Sequence, residues 1–201
     1  MTARRGIVIG LGAVLTVAVA ACSGTEPATE PSSTENGAVD ASWVEHAVGP
    51  VVLRTPPEWT ELAPASEDAS GVTSATFGLP DDGSMVRPGV TVTVQDDPTR
   101  DATVEAESLV LGERAQRGAE DVETVEMDRS DAELAVGVSL WNEQQSAEGP
   151  VAVASRWVVA DLAGGEQVVV GVLGPKDEFE ELPLDEVLEA VSFESTGEAA
   201  S

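Results

Sequence analysis

The sequence predicts an α+β domain in which a mostly antiparallel sheet is flanked by helices. Residues 90–95 alternate apolar and hydroxyl-bearing side chains, which is the two-residue period of a half-buried strand. Two helical windows, one central and one near the end of the domain, interrupt and close a series of strand-like segments. This order of strands, helix, strands and helix is typical of a sheet with helices packed on it.

The first predicted elements are short strands separated by turn-forming residues. Residues 51–53 are apolar and lead into residues 56–59, Pro-Pro-Glu-Trp, which break any regular element. Residues 71–79 alternate in the same way as residues 90–95. Between these two strands, residues 80–84 read Pro-Asp-Asp-Gly-Ser, which is a turn sequence.

The central helix is predicted over residues 103–118, with Gly118 as its C-terminal stop. One stripe at helical spacing is expected to face the sheet, and it consists of Val104, Ser108, Leu111 and Ala115.

Four strands are predicted to follow the helix, over residues 122–127, 134–142, 151–161 and 166–173. Ala163-Gly164-Gly165 predicts a hairpin turn between the last two strands. The closing helical segment spans residues 175–191 and is expected to break near Pro183. Its inward-facing residues are predicted to be Phe179, Leu182, Val187, Leu188 and Val191.

Residues 1–21 have the character of a secretory signal. Arg4 and Arg5 precede an uncharged apolar run over residues 7–19, which is too short for a comfortable membrane span. Residues 19–22, Val-Ala-Ala-Cys, resemble the bacterial lipobox, in which the cysteine receives a diacylglyceryl group and the signal is cut before it. This resemblance implies lipidation of Cys22 and a place on the extracytoplasmic face of the cell membrane. The plainer alternative is an ordinary secretory signal in which Cys22 is incidental.

Residues 22–42 are rich in Ser, Thr, Pro and Glu and predict a disordered acidic tether, and residues 196–201 a disordered tail. The single folded domain is then expected over residues 43–195.

The chain carries 37 acidic and 10 basic residues, and a net charge of −27 opposes nucleic-acid binding. We interpret the charge as surface hydration. The alternative is a field that attracts cations or a basic partner.

The sequence offers few groups for catalysis or metal binding. His46 is the only histidine and Cys22 the only cysteine, so a zinc site or a catalytic triad is not expected, and neither is a cofactor. Three tryptophans are the candidates for contact with a ligand or partner, and they are Trp59, Trp141 and Trp157. Trp141 and Trp157 lie on neighbouring predicted strands and could face one another, whereas alternation places Arg156 opposite to Trp157.

The Pro-Pro-Glu-Trp motif at 56–59, and the stretch from Trp157 through residues 168–175 into the closing helix, resemble PsbP-like and Mog1-like domains. These include the LpqN-type lipoproteins of actinobacteria. The resemblance implies an α/β/α sandwich around an antiparallel sheet, and a binding or assembly factor rather than an enzyme. The absence of tyrosine is a departure that puts any shared ligand in doubt.

These observations predict a membrane-anchored extracytoplasmic lipoprotein that is a non-catalytic binding or assembly factor of the cell envelope. Its expected partners are the membrane, through the lipid anchor, and an envelope protein or lipid of unknown identity. The alternative is a lipid or small-molecule carrier with a cavity between the sheet and the helices. A purely structural or surface-charge role is a third reading.

Overall fold

The computed structural model describes residues 42–68, 71–81, 86–146 and 149–194. The predicted signal, the Cys22 lipidation site, the tether up to residue 41 and the 196–201 tail lie outside the described residues. The strands are β1 Val44–Val48, β2 Val51–Thr55, β3 Thr60–Glu67, β4 Val72–Gly78, β5 Gly89–Gln95, β6 Glu120–Glu126, β7 Leu134–Ser146, β8 Gly149–Asp161, β9 Gln167–Pro175 and β10 Ser192–Phe193. The helices are α1 Ala102–Arg117, a 3-10 helix over Lys176–Glu181 and α2 Leu184–Glu189.

Seven strands form one large sheet in the order β3-β4-β5-β9-β8-β7-β6, and every neighbouring pair is antiparallel. Strands β1, β2 and β10 form a small antiparallel sheet of their own. The predicted α+β class with a mostly antiparallel sheet is therefore confirmed.

The two faces of the large sheet have different covers. On the face that carries Val92, Val158 and Val170, the small sheet, the 3-10 helix and α2 pack to form the main core. We call this the small-sheet face. On the opposite face, α1 packs on β7 and β8 over Val138 and Val159, and we call this the α1 face. The central strands of the large sheet are therefore covered on both sides, which is why their side chains are apolar on both faces.

Helix α1 has the boundaries that its sequence predicts. The Asp101 side chain accepts a hydrogen bond from the Val104 backbone N–H at 2.9 Å, which caps the first turn. At the other end Gly118 adopts a left-handed conformation with φ 64°, and its N–H donates to the Arg114 carbonyl. The predicted stop at Gly118 is confirmed.

The face that α1 buries was predicted wrongly. The residues that pack on the sheet are Ala102, Ala106 and Val110, whereas Val104 is 42% and Leu111 64% exposed. The sequence contains two stripes at helical spacing, and the larger side chains are on the outer one. The stripe that contains Ala102 and Ala106 is the one that faces the sheet, because its small side chains let the helix axis approach the sheet closely.

The hairpin and the broken closing helix are also confirmed. The Leu162 backbone N–H donates to the Glu166 carbonyl at 2.8 Å around the turn, and Gly165 has φ 93°. The closing segment is a 3-10 helix and a six-residue α2, separated at Leu182 and Pro183. Of its predicted inward residues, Phe179, Val187 and Val191 are buried, and Leu182 and Leu188 pack partly against the core.

Candidate functional site

A groove crosses the small-sheet face over β6, β7 and β8, beside α2 and the 3-10 helix. Register explains its composition. Gly137, Ser139 and Trp141 alternate along β7 and pair with Val158, Arg156 and Ala154 on β8, so that all six share one face. Two adjoining hollows make up the groove, of about 330 Å³ and about 260 Å³, and both are lined by Ser139 and Arg156. We call them the apolar end and the aromatic end of the β6–β8 groove.

The apolar end is lined mainly by hydrocarbon side chains and one thioether. Its lining includes Val125, Met127, Gly137, Val158 and Leu188. A Cβ atom at Gly137 would lie 3.1 Å from the Met127 Sδ and 3.2 Å from the Val125 Cγ1. Glycine at this position therefore gives the groove part of its depth.

Trp141 is fixed at the aromatic end from two sides. Its indole Nε1 donates to the Asp121 carboxylate at 2.7 Å, and the Lys176 ammonium lies 3.3 Å from the indole ring centroid. Asp121 has φ 46°, and the pairing of β6 with β7 is irregular between Glu120 and Glu123. Left-handed backbone is costly for a residue with a Cβ, and here it coincides with a local bulge of β6. The bulge places the Asp121 carboxylate beside Trp141.

Arg156 lies between the two ends and links β8 to the helical segment. Its guanidinium donates to Asp185 and, at 2.8 Å, to the Glu180 Oε1, and it lies 5.1 Å from the Phe179 ring centroid. Two carboxylates thus balance the Arg156 charge. Lys176 makes no ion pair with any residue that the structure describes, so it is the groove's cation that a ligand could use without displacing a carboxylate.

The three candidate tryptophans do not come together. Trp59 is 5% exposed and belongs to the main core, where no ligand reaches it in this conformation. Trp141 lines the groove. The expectation that Trp141 and Trp157 could face one another is wrong, because Trp157 pairs with Val138, three positions from Trp141, and an odd spacing places the two indoles on opposite faces.

Trp157 borders the apolar end, but its side chain belongs to the α1 face. Its ring covers Gly171, where a Cβ atom would fall only 2.0 Å from the Trp157 Cε3. The indole Nε1 bonds to the Ser155 hydroxyl at 3.0 Å. Trp157 is therefore a packing residue on the sheet, and the separation of Trp157 from Arg156 that alternation predicted is confirmed.

His46 is held in the small sheet, beside a buried hydroxyl. Its Nε2 is 2.9 Å from the Thr55 hydroxyl, and its ring centroid is 4.2 Å from that of Phe77. Thr55 is fully buried, so a substrate cannot reach that hydroxyl. Burial lowers the pKa of His46 below its ordinary value, and the Glu61 carboxylate opposes part of this shift.

Across the described ranges 42–68, 71–81, 86–146 and 149–194, no three His, Cys, Asp or Glu residues are placed to hold a metal ion.

Sequence reasoning found Trp141 but missed most of the groove. Lys176 carried one signal, since it is the chain's only lysine and follows directly after a strand, at the start of the closing helical segment. Asp121 and Gly137 carried none, and Leu188 was predicted only as an inward-facing residue, because their places in the groove depend on the β6–β7 register and on where α2 lies.

Comparison with solved structures finds similar folds, two of which are given below. No protein-family model matches the chain, and no curated protein matches it. Among solved structures it is similar to LpqN of Mycobacterium tuberculosis, a protein involved in cell envelope biogenesis. The two are 13% identical, 72% of this chain and 83% of LpqN are covered, and the TM-score is 0.45. A protein from Bacteroides thetaiotaomicron is 15% identical over 74% of this chain and 47% of its own, with a TM-score of 0.39. Within the described ranges, no helix is long and apolar enough to cross a membrane.

Proposed function

We propose that this chain is a lipoprotein anchored through Cys22 to the extracytoplasmic face of a bacterial cell membrane. We further propose that its folded domain binds an envelope component in the β6–β8 groove without turnover. The single observation that carries the binding role is the groove itself, in which an apolar floor adjoins Trp141 and Lys176, a cation that has no ion pair among the described residues. Apolar surface with a few convergent polar groups is the usual composition of a binding site.

The proposed location depends on the sequence before the domain. Two arginines, an uncharged apolar run and Val19-Ala20-Ala21-Cys22 stand in the order of a lipoprotein signal. The folded domain supplies no rival means of membrane attachment by charge, because a strongly acidic chain is repelled by anionic lipid.

The non-catalytic role is supported by how the groove's ionisable groups are used. Arg156 is held by two carboxylates, the Asp121 carboxylate accepts the Trp141 indole N–H, and the Lys176 ammonium lies on the same indole. These contacts fix side chains for recognition, and none of them pairs a nucleophile with a base.

The test is recovery of envelope components with the detergent-extracted, anchored protein, compared between two charge-removing variants. Lys176→Gln removes the groove cation, whereas Arg54→Gln removes an exposed charge that pairs with Glu45 on the small sheet. We expect a component that copurifies with the parent protein and with Arg54→Gln, and that is reduced about fivefold or more with Lys176→Gln.

Two results would overturn this function. Equal recovery with all three proteins would show that the groove is not the contact. Hydrolase or transferase activity that one point mutation in the folded domain abolishes would replace binding with catalysis.

A second candidate is carriage of a lipid or apolar small molecule, which the apolar end favours. It lies between β6–β8 and Leu188 of α2, and its 330 Å³ volume reaches the lower range of small-molecule sites. A fluorescent apolar probe should then bind the protein, and Gly137→Val should weaken binding because the added side chain fills the space beside Met127 and Val125. Binding that is unchanged by Gly137→Val would exclude this site as the carrier cavity.

A further inference from the structure

Helix α1 carries apolar side chains on its solvent side. Val104 is 42% exposed and Leu111 64% exposed, although the chain around them is strongly acidic. With Ser108 and Ala115 they form a stripe at about 190° around the helix from the buried Ala102, Ala106 and Val110. We call Val104, Ser108, Leu111 and Ala115 the α1 stripe. Its position turns it away from the sheet on which α1 packs.

The stripe has the spacing of a helix-pairing seam. Its members are separated by four, three and four residues, which is the repeat that keeps one face of a helix towards a partner helix. Two large members alternate with two small ones in the order Val, Ser, Leu, Ala. When an identical helix lies antiparallel, Leu111 comes opposite Ser108 of the second copy, and Val104 comes opposite Ala115. Each large side chain then meets a small one, and the Arg100 guanidinium, which donates to the Ser108 hydroxyl at 2.7 Å and pairs with Glu105, borders the Leu111–Ser108 contact.

The charges beside the stripe are complementary under the same arrangement. Glu107 and Arg114 lie on one flank of the stripe, and each is exposed. Within the described part of the chain neither makes an ion pair, whereas Arg117 pairs with Glu113 and Arg100 with Glu105. In the same antiparallel register Glu107 lies two residues, about 3 Å along the axis, from the position opposite Arg114 of the second copy, which is within reach of an ion pair, and symmetry repeats the pair.

We propose that the α1 stripe is a self-association surface that docks antiparallel on α1 of a second copy of this chain. The shape alternation and the charge order support the same register independently. Self-complementarity of this kind is what a two-fold symmetric interface requires. The net charge of −27 opposes association, but at physiological ionic strength charges more than about 8 Å apart are largely screened.

The first experiment measures the molecular weight of the full chain in detergent by sedimentation equilibrium. We expect a monomer–dimer equilibrium that Leu111→Glu weakens about tenfold or more, because it places two carboxylates in the seam. Val44→Glu is the matched control, since Val44 is 42% exposed, as Val104 is, but lies on β1 of the small sheet and outside the β6–β8 groove. It should leave the equilibrium unchanged.

A charge exchange tests the register. Glu107→Arg alone and Arg114→Glu alone should each weaken the dimer, because each sets like charges opposite one another at two symmetric places. The double variant restores both pairs and should return the dissociation constant to within about threefold of the parent value. Both positions are exposed, so circular dichroism should show the same fold for the parent, the two single variants and the double variant.

Disulfide trapping tests the helix direction in native membranes. Val104→Cys combined with Ala115→Cys should give a covalent dimer under mild oxidation, while Val104→Cys alone should give none. In an antiparallel pair the two copies of position 104 are about 16 Å apart along the axis, beyond disulfide reach.

Three results would overturn the proposal. They are a monomer at every concentration, a dimer that is indifferent to Leu111→Glu and to the charge exchange, and cross-linking by Val104→Cys alone, which indicates a parallel pair.

Discussion

His46 shows how one buried ring makes stability depend on pH. Because burial lowers its pKa in the folded state, the unfolded chain takes up a proton more readily than the folded chain does. Stability is therefore fully present above about pH 6.5, the unfolded value, and is lost as the pH falls from there through the lowered folded value.

We predict that His46→Gln flattens this dependence. Glutamine can still hydrogen-bond to the Thr55 hydroxyl but does not titrate. The measurement is the midpoint of urea unfolding at pH 7.5 and at pH 5.5. Between these two values the midpoint should fall less for His46→Gln than for the parent. His46 is the chain's only histidine, so no other imidazole contributes. An equal fall in both proteins would contradict the prediction.

Arg129 and Asp131 connect the β6–β7 loop to the last strand. The Arg129 guanidinium donates to both Asp131 carboxylate oxygens, at 2.9 and 2.7 Å, and to the Val191 carbonyl at 2.8 Å. The Phe193 N–H donates to the same carboxylate at 3.0 Å. Burial alone would raise the pKa of Asp131, but the hydrogen bonds from Arg129 and Phe193 and the Arg129 charge outweigh it, and the pKa is lowered.

We predict that Arg129→Leu destabilises the fold by about 2 kcal/mol at pH 7, because it leaves a partly buried carboxylate and a carbonyl without their partner. Arg129→Lys should recover only part of this, since an ammonium cannot make the two parallel bonds. Asp131 is protonated in the unfolded chain below about pH 3.8, and in the folded chain only at a still lower pH. As the pH falls through this range, the stability that the lowered pKa contributes disappears, and the loss caused by Arg129→Leu should shrink. Guanidinium unfolding over that pH range measures both effects, and an Arg129→Lys variant as stable as the parent would contradict the argument.

At the scale of elements, the sequence predicted what local rules determine. The stop at Gly118 and the hairpin at Gly165 each depend on neighbouring residues only, and both are found. Three strands were missed, namely β1, β3 and β10. β3 is exposed along its whole length and contains Pro64, so it has no alternating pattern, and it forms because β4 offers it an edge.

The groove and the α1 orientation could not be predicted for a related reason. Which of two stripes α1 buries depends on the surface it meets, and the alanine stripe fits the central strands more closely than Val104 and Leu111 would. Likewise, Trp141 joins Lys176 only because β9 runs into the 3-10 helix beside β8. Both outcomes are set by contacts between residues that are distant in sequence.

Two glycines allow a matched test of strand and helix packing. Gly171→Ala on β9 should destabilise by about 2 kcal/mol or more, because its Cβ would overlap the Trp157 ring that covers it. Gly112→Ala on α1 should stabilise by about 0.5–1 kcal/mol, because nothing lies within 4 Å of its Cβ and alanine favours helix. Thermal unfolding of the two variants should therefore move in opposite directions from the parent. A shift in the same direction for both would refute this account of Gly171.

At the scale of the whole molecule, both edges of the large sheet are protected from further pairing. β3 carries Pro64 and two irregularities in its register with β4, and β6 carries glutamates along an exposed edge. Charge, proline and bulges are the usual means of blocking edge-to-edge association. A domain protected in this way can be concentrated on a membrane without its strands pairing with those of its neighbours, which leaves α1 as the contact that we propose.

Cys22 is the residue on which the proposed location depends. Each buried methylene contributes about 0.8 kcal/mol to membrane binding, and two acyl chains give stable anchoring where one does not. We predict that the parent protein partitions into the detergent phase and that its intact mass exceeds that of residues 22–201 by a lipid. Cys22→Ser should lack the lipid mass, while Ser23→Ala, the neighbouring control, should keep it. If Cys22→Ser is cut elsewhere it should enter the aqueous phase, because it then carries neither an acyl chain nor the apolar run at residues 7–19. If it is uncut, its mass should include residues 1–21. A parent mass equal to unmodified polypeptide would instead make Cys22 an incidental residue of an ordinary secretory signal.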